Sequence, residues 1–166
     1  MHFNKTVVIL VACVHLFTHF VNLKSDKPFT AYTLDERATM VELDEESFIL
    51  FSSVVESESN RCQDNIEGRV YIALTIWNRV YSERWPDSVI GVLTQSGQFS
   101  TVHGSSGNYY AAASRTDLSD QAVVAAYNWI HSGDEYPEVI FFNCRGYFSG
   151  VTPCAEVGGN YFSYGY

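Results

Sequence analysis

Residues 50–80, LFSSVVESESNRCQDNIEGRVYIALTIWNRV, contain the pattern that decides the fold. An apolar helix ends at an acidic pair, Glu56 and Glu58, and the segment NRCQDN that follows has the composition of a turn. A second helix comes next, and its apolar positions recur at helical spacing: Ile66, Val70, Ala73, Trp77 and Val80. We expect this second helix to be the central buried one.

Glu58 closes the apolar helix shortly after Val54 and Val55. A carboxyl group in a partly dry cleft has a raised pKa, because desolvation disfavours its charged form, and it therefore keeps a proton near neutral pH. Cleavage of a glycosidic bond requires such a proton donor. Glu58 is the candidate catalytic acid, and Glu56 is the alternative.

The remaining elements place helices first and strands last. Acidic residues at the start of residues 43–55 suit a helix dipole, and residues 88–95 predict a short helix. A further helix that runs through His131 is predicted to be capped by Asp117 or Ser119, and Gly133 ends it. Residues 138–142 predict a strand, and the tail to Tyr166 predicts loops with one or two short strands. This order is typical of an α+β fold.

Composition favours one globular domain plus a leader in the 166-residue chain, because 46% of residues are hydrophobic and 15% aromatic. The formal charge of −9 and the pI near 4.8 argue against a nucleic-acid partner, since phosphate binding requires clusters of Lys and Arg. A neutral or polyhydroxyl ligand suits this composition better.

Residues 6–23 form an apolar run between Lys5 and Lys24 that is close to the length needed to span a bilayer. The first interpretation is an uncleaved signal anchor. A cleaved signal peptide, acylation at Cys13 and a buried helix of a soluble protein remain open. We therefore predict a leader over 1–23, a linker over 24–42 and a folded domain over 43–166.

Cysteines and histidines give no metal-binding pattern. No Cys-x-x-Cys or His-x-x-x-His spacing occurs, so we expect no zinc and no other cofactor, and we interpret His103 and His131 as surface or loop residues. Outside the leader lie Cys62, Cys144 and Cys154. Export would permit one disulfide, for which Cys144 with Cys154 is the preferred pair.

Four blocks, in order, resemble the SleB-type cell-wall hydrolases of spores and phages. They are LFSSVVESES at 50–59, EGRVYIALTIWNRV at 67–80, WPDSVIGVLTQSGQFS at 85–100 and VGGNYFSY at 157–164. The resemblance covers about residues 43–166, and it implies a lysozyme-like fold with a mainly helical lobe and a small C-terminal β region. The loop after Glu58 is longer than the family's pattern, which keeps Glu56 as the alternative acid.

The resemblance implies a lytic transglycosylase that cleaves the β-1,4 bond between N-acetylmuramic acid and N-acetylglucosamine. Glu58 is then the single general acid and base, and the product carries a 1,6-anhydro end. If water attacked instead, the enzyme would be a muramidase with a second carboxylate, for which Glu56, Asp64 and Glu67 are the candidates.

Candidate substrate-binding residues follow from the same blocks and from nearby aromatic residues. Gln98 can bind an acetamido group, because an amide both donates and accepts hydrogen bonds. Asn160 stands where the family commonly has His, and we expect it to keep a hydrogen bond at most. The further candidates for the sugar-binding groove are Phe99, Tyr109, Tyr110, Tyr161 and Tyr164.

Two other classes of function remain open. One is a noncatalytic peptidoglycan-binding or structural virion protein on the same fold. The other is an amidase, placed last because such enzymes usually require zinc. In each case the expected partner is peptidoglycan, with the membrane contacted through residues 6–23. The expected location is periplasmic or facing the cell wall, or on a phage virion.

Overall fold

The computed structural model describes residues 27–62, 65–99, 102 and 115–165. A 3-10 turn (Phe29–Ala31) precedes the helices, which are α1 (Leu34–Thr39), α2 (Glu45–Glu58), α3 (Ile66–Val80), α4 (Val89–Leu93) and α5 (Asp117–His131). The strands β1 (Phe141–Asn143), β2 (Pro153–Val157) and β3 (Asn160–Ser163) form an antiparallel sheet in the order β1-β3-β2. This arrangement confirms the predicted α+β class with a small C-terminal sheet.

The central helix is α3, as the apolar spacing predicted. Its start is fixed by Asn65, whose side-chain oxygen accepts a hydrogen bond from the Gly68 N–H at 2.9 Å. Every residue from Gly68 to Arg79 is buried, and the helix packs against α2, α4 and α5. A short helix covered on so many sides is stabilised mainly by tertiary packing.

The segment predicted as a linker, residues 24–42, contains packed structure from residue 27 onward. Helix α1 begins with a capping box in which Thr33 and Glu36 each accept a hydrogen bond from the other's backbone N–H. Ala38 and Val41 are each only 1% exposed. This stretch is therefore part of the folded domain.

A buried ion-pair network joins α1 to α5. Arg37 donates hydrogen bonds to Asp120 at 2.6 Å and to Asp117 at 2.7 Å. Arg115 also donates to Asp120, whose side chain is fully buried. The network connects residues about 80 positions apart and explains why α1 packs instead of extending as a linker.

Residues 1–26, which include the predicted leader, lie outside the described residues. No helix within the described ranges combines the length and the apolar character needed to cross a bilayer. The anchor, signal-peptide and acylation interpretations remain predictions.

The strand predicted over residues 138–142 begins later than expected. Only Phe141, Phe142 and Asn143 pair with β3, in register with Ser163, Phe162 and Tyr161. The carbonyl groups before them contact α3 instead: Asn78 donates to those of Pro137 and Val139, and Arg79 to that of Ile140. Ile140 still donates its N–H to the Ser163 carbonyl at 3.1 Å, but its own carbonyl is paired with Arg79, so the regular pairing starts at Phe141.

The predicted disulfide between Cys144 and Cys154 is wrong in this structure, in which both residues and Cys62 are free thiols. Cys144 follows β1, and Cys154 lies in β2, on the far side of the central strand β3. Two strand spacings amount to about 9–10 Å, whereas the Cα atoms of a disulfide lie about 4.4–6.8 Å apart.

Candidate active site

A cleft of about 590 Å³ opens between the end of α2, the turn after α4 and the sheet. Its described lining residues are Ser57, Glu58, Asn60, Arg61, Arg79, Gly97, Gln98, Phe99, Phe141, Phe142, Asn143, Cys144, Phe148 and Asn160. The cleft therefore brings together four predicted site residues: Glu58, Gln98, Phe99 and Asn160. They come from three of the four blocks that carry the family resemblance.

Glu58 is the last residue of α2, and its half-buried side chain contributes to the wall of the cleft. The turn around it is held by side-chain bonds, since Ser57 donates to the carbonyl of Ser53 and Ser59 to that of Val55. Among the described residues that line the cleft, Glu58 is the sole carboxylate. A single acid on a fixed helix end suits proton transfer to a bound substrate.

Glu56 has different surroundings and is not among the described lining residues. Arg69 contacts both of its carboxylate oxygens, at 3.0 and 3.2 Å, and Thr116 donates a further hydrogen bond at 2.8 Å. Burial raises the pKa of Glu56, but the hydrogen bonds from Arg69 and Thr116 outweigh it and leave the pKa below its usual value. Glu56 is thus an ionised carboxylate in an ion pair, which is unsuited to donating a proton.

Arg79 forms part of the cleft floor and is only 4% exposed. Its Nε donates to the carbonyl of Ile140 at 2.9 Å, and its Nη1 donates to Oε1 of Gln98 at 3.1 Å. The guanidinium carbon lies 4.4 Å from the ring centre of Trp85 and 5.4 Å from that of Phe99. Burial lowers the pKa of Arg79 to about 10, so the group remains charged at neutral pH.

Asn160, at the start of β3, is only 2% exposed and keeps a hydrogen bond, as the sequence predicted. Its Nδ2 donates to the Cys62 sulfur at 3.6 Å. Burial raises the pKa of the Cys62 thiol, which therefore stays protonated at neutral pH. The contact holds the end of the sheet against the turn that follows α2.

The aromatic wall of the cleft was not anticipated from the sequence. Phe141 and Phe148 meet edge to face with ring centres 6.2 Å apart, and Phe148 is 45% exposed. Phe142 from β1 also lines the cleft. The rings of β1 resembled ordinary core residues in a strand, and the glycine-rich loop before Phe148 gave no periodic signal. The clue available in the sequence was the run of glycine and aromatic residues over 146–150.

The predicted tyrosines lie elsewhere or outside the described residues. Tyr161 points away from the face of β3 that carries Asn160, since side chains alternate along a strand, and its ring packs against Tyr147. Tyr164 is 37% exposed and is not among the described lining residues. Tyr109 and Tyr110 lie outside the described residues.

The remaining charged candidates are distributed around the fold. Glu67 lies in the first turn of α3, outside the described lining, whereas Asp64 and His103 fall outside the described residues. His131 ends α5, with its Nδ1 2.8 Å from the carbonyl oxygen of Tyr127. In the described part of the chain, no three His, Cys, Asp or Glu side chains cluster as a metal site would require.

Comparison with known proteins agrees with the fold and with the resemblance. The solved catalytic domain of the germination-specific lytic transglycosylase SleB from Bacillus anthracis superposes with a TM-score of 0.58 and 21% identity. The similarity covers 73% of this chain and 96% of that one, and it confirms the predicted lysozyme-like fold. A search of curated proteins gave no match.

The sequence also matches a protein family directly. The profile described as Cell Wall Hydrolase matches residues 63–161. The match begins after Glu58 and includes Arg79, Gln98 and Asn160. Because it spans more than half of the 166 residues, the chain belongs to the Cell Wall Hydrolase family.

Proposed function

We propose that this protein is a peptidoglycan lytic transglycosylase that uses Glu58 as its single general acid and base. The bond cleaved is the β-1,4 linkage between N-acetylmuramic acid and N-acetylglucosamine. The observation that carries the proposal is that Glu58 is the sole carboxylate among the described residues lining the cleft. Family membership and the fold shared with a lytic transglycosylase support the same reaction.

The reaction divides into two proton transfers at one carboxyl group. In the first, protonated Glu58 donates its proton to the glycosidic oxygen, the bond from that oxygen to C1 of the muramic acid breaks, and an oxocarbenium-like transition state forms. In the second, the muramic acid's own C6 hydroxyl attacks C1 and its proton passes to the Glu58 carboxylate. The acid is regenerated without water, and the products are a 1,6-anhydro end and a free 4-hydroxyl group.

The chemistry of the cleft suits a glycan that carries peptides. Phe141 and Phe148 offer apolar ring faces and edges to a sugar ring, and Gln98 offers a polar amide. Two arginines, Arg61 and Arg79, line the cleft beside the single carboxylate, although the whole chain carries a formal charge of −9. The stem peptides of peptidoglycan carry free carboxylates, as does the lactyl group where its peptide has been removed, and this local excess of positive charge favours them.

The described residues of the cleft fit two competing functions less well. A muramidase of the two-carboxylate type would need a second acid beside Glu58, and the nearest candidate, Glu56, is paired with Arg69. A noncatalytic wall-binding or virion protein would not need an acid in the cleft. For the proposed function and for both of these alternatives, the family indicates action at the cell wall, and a leader or anchor within residues 1–23 would provide export.

The test is mass spectrometry of muropeptides released from purified peptidoglycan by the full chain. We expect 1,6-anhydro ends from the native protein and none from Glu58→Gln, while Glu46→Gln, an exposed acid on the same helix, serves as the matched control. Reducing muramic ends would show a muramidase, and free stem peptides would show an amidase. Full activity of Glu58→Gln would overturn the assignment of the acid, and binding without release by the native protein would favour the noncatalytic function.

A further inference from the structure

Gln98 lies on an exposed turn, yet its side chain is hydrogen-bonded to a buried residue. The turn follows α4 and includes Gly97 at φ +77°, and Gln98 itself is exposed to the cleft. Its Oε1 accepts a hydrogen bond from Arg79, which is buried and also bonded to the carbonyl of Ile140. A side chain with three rotatable bonds is thus held at its tip by a rigid group.

The partner determines which end of the amide faces the cleft. A guanidinium group donates five N–H bonds and accepts none, so the atom of Gln98 that it meets must be the carbonyl oxygen. The NH2 group is then the end turned away from Arg79. Without Arg79, a rotation of the amide by 180° would exchange donor and acceptor at little cost.

We propose that Arg79 is a positioning residue that presents the NH2 group of Gln98 to the cleft, where it binds the carbonyl oxygen of a substrate acetamido group. This inference rests on the proposed function, because it takes the glycan of peptidoglycan as the ligand. A face that only donates favours a group that only accepts, and the acetamido carbonyl is such a group in the glycan. Sugar hydroxyls both donate and accept hydrogen bonds, so they can bind either end of the amide and do not depend on its orientation. Fixing the amide before binding also reduces the entropy lost on association.

The experiment measures glycan binding by the full chain in a Glu58→Gln background, so that it does not depend on catalysis. The probe is a soluble glycan strand freed of stem peptides, compared with the same strand after chemical de-N-acetylation. Both strands keep the lactyl carboxylate and differ only at the acetamido groups, which de-N-acetylation turns into ammonium groups; each variant is therefore compared with the Glu58→Gln parent, so that this change of charge is common to both. The ratio of the two Kd values defines the acetyl preference.

Three substitutions test whether Gln98 and Arg79 bind and position the acetamido group or only stabilise the fold. Gln98→Met removes the donors, and it should lower the acetyl preference by about three- to tenfold, the value of one hydrogen bond. Gln98→Glu keeps a partner for Arg79 but presents no donor, and its carboxylate attracts the ammonium groups of the de-N-acetylated strand. The acetyl preference of Gln98→Glu should fall at least as far as that of Gln98→Met. Arg79→Lys should lower the preference in the same direction, because a single ammonium on a flexible stem lacks the rigid fork that holds the Ile140 carbonyl and Oε1 of Gln98 at once, and the amide is then held less firmly.

The control is Ser96→Ala, an exposed change on the same turn outside the described lining, which should leave the preference unaltered. An undiminished preference in Gln98→Met and Gln98→Glu would overturn the binding role of Gln98. A loss in those variants but not in a folded Arg79→Lys would overturn the positioning role of Arg79. Failure of the Glu58→Gln protein to bind either strand would overturn the inference, and the release assay with the native protein would show separately whether the proposed function stands.

Discussion

The Arg69 guanidinium contacts both carboxylate oxygens of Glu56, with Nη2 3.0 Å from Oε1 and Nε 3.2 Å from Oε2. The pair connects the last turn of α2 to the first turns of α3, and Thr116 adds a bond from the start of α5. Two acidic residues two positions apart in the same sequence block therefore differ in environment. Glu56 joins three helices, whereas Glu58 faces the cleft.

Replacement of Glu56 should affect stability more than chemistry. Glu56→Gln removes the charge that compensates Arg69, a group whose side chain is only 6% exposed, and we expect a loss of about 1–3 kcal/mol in the free energy of unfolding. Urea unfolding measures the loss, and muropeptide release below the melting temperature measures the activity. A folded Glu56→Gln protein that released no product would contradict the assignment of Glu58.

The contribution of Glu56 should also depend on pH in a defined direction. The pKa of Glu56 in the folded protein lies below its usual value of 4.5, so the ionised pair stabilises the fold fully above that value. The stability is lost as the pH falls through the lowered folded pKa, because the carboxylate is then protonated in both states. The difference in unfolding free energy between native protein and Glu56→Gln should therefore be constant from pH 6 to 8 and shrink below about pH 4.5. A difference that grows in acid would show that another group dominates.

Local sequence signals were sufficient for helices α2 to α5, whereas α1 was not predicted. The apolar spacing of α3 and the acidic first turn of α2 predict these helices from neighbouring residues alone, and their caps are Asp44 for α2 and Asn65 for α3. Helix α5 also forms as predicted, but its cap is Thr116 and not Asp117 or Ser119. Glu58 and Gln98 were found because they stand in blocks with a family pattern. Both reach the same cleft because α2 and the turn after α4 pack against the same central helix.

Contacts between distant residues were beyond the reach of those signals. Residues near 37 read as a linker because the partners of Arg37 lie 80 and 83 positions away. The late start of β1 depends on side chains of α3 that capture carbonyl groups 59 to 61 positions away. The preferred disulfide failed for the same reason, since strand order is not a local property.

The ion pairs of Arg37 allow a buried carboxylate to be compared with an exposed one on the same helix. Asp120 is fully buried and Asp117 is 51% exposed, and both accept from Arg37. Asp120→Asn should destabilise the protein by about 2–3 kcal/mol, somewhat less than the roughly 3–5 kcal/mol for a fully orphaned buried charge, because Asp117 remains. Asp117→Asn should cost less than about 1 kcal/mol. Equal losses in thermal unfolding would mean that burial does not distinguish the two pairs.

The last prediction concerns Gly158, which lies two residues before the buried Asn160 and packs against Cys62 in the turn after α2 and against Gly68 in the first turn of α3. A Cβ on Gly158 would lie 2.8 Å from that sulfur and 3.0 Å from the Cα of Gly68, and its φ of +55° disfavours any side chain. Gly133→Ala is the matched control, because its φ of +82° imposes a similar strain while no atom lies within 4 Å of the added group. The control should lose about 1–2 kcal/mol from backbone strain alone. Gly158→Ala should lose clearly more unfolding free energy in urea, because the added Cβ also contacts backbone atoms that cannot rotate away. A loss no larger than that of Gly133→Ala would show that the turn before β3 can move away from α3.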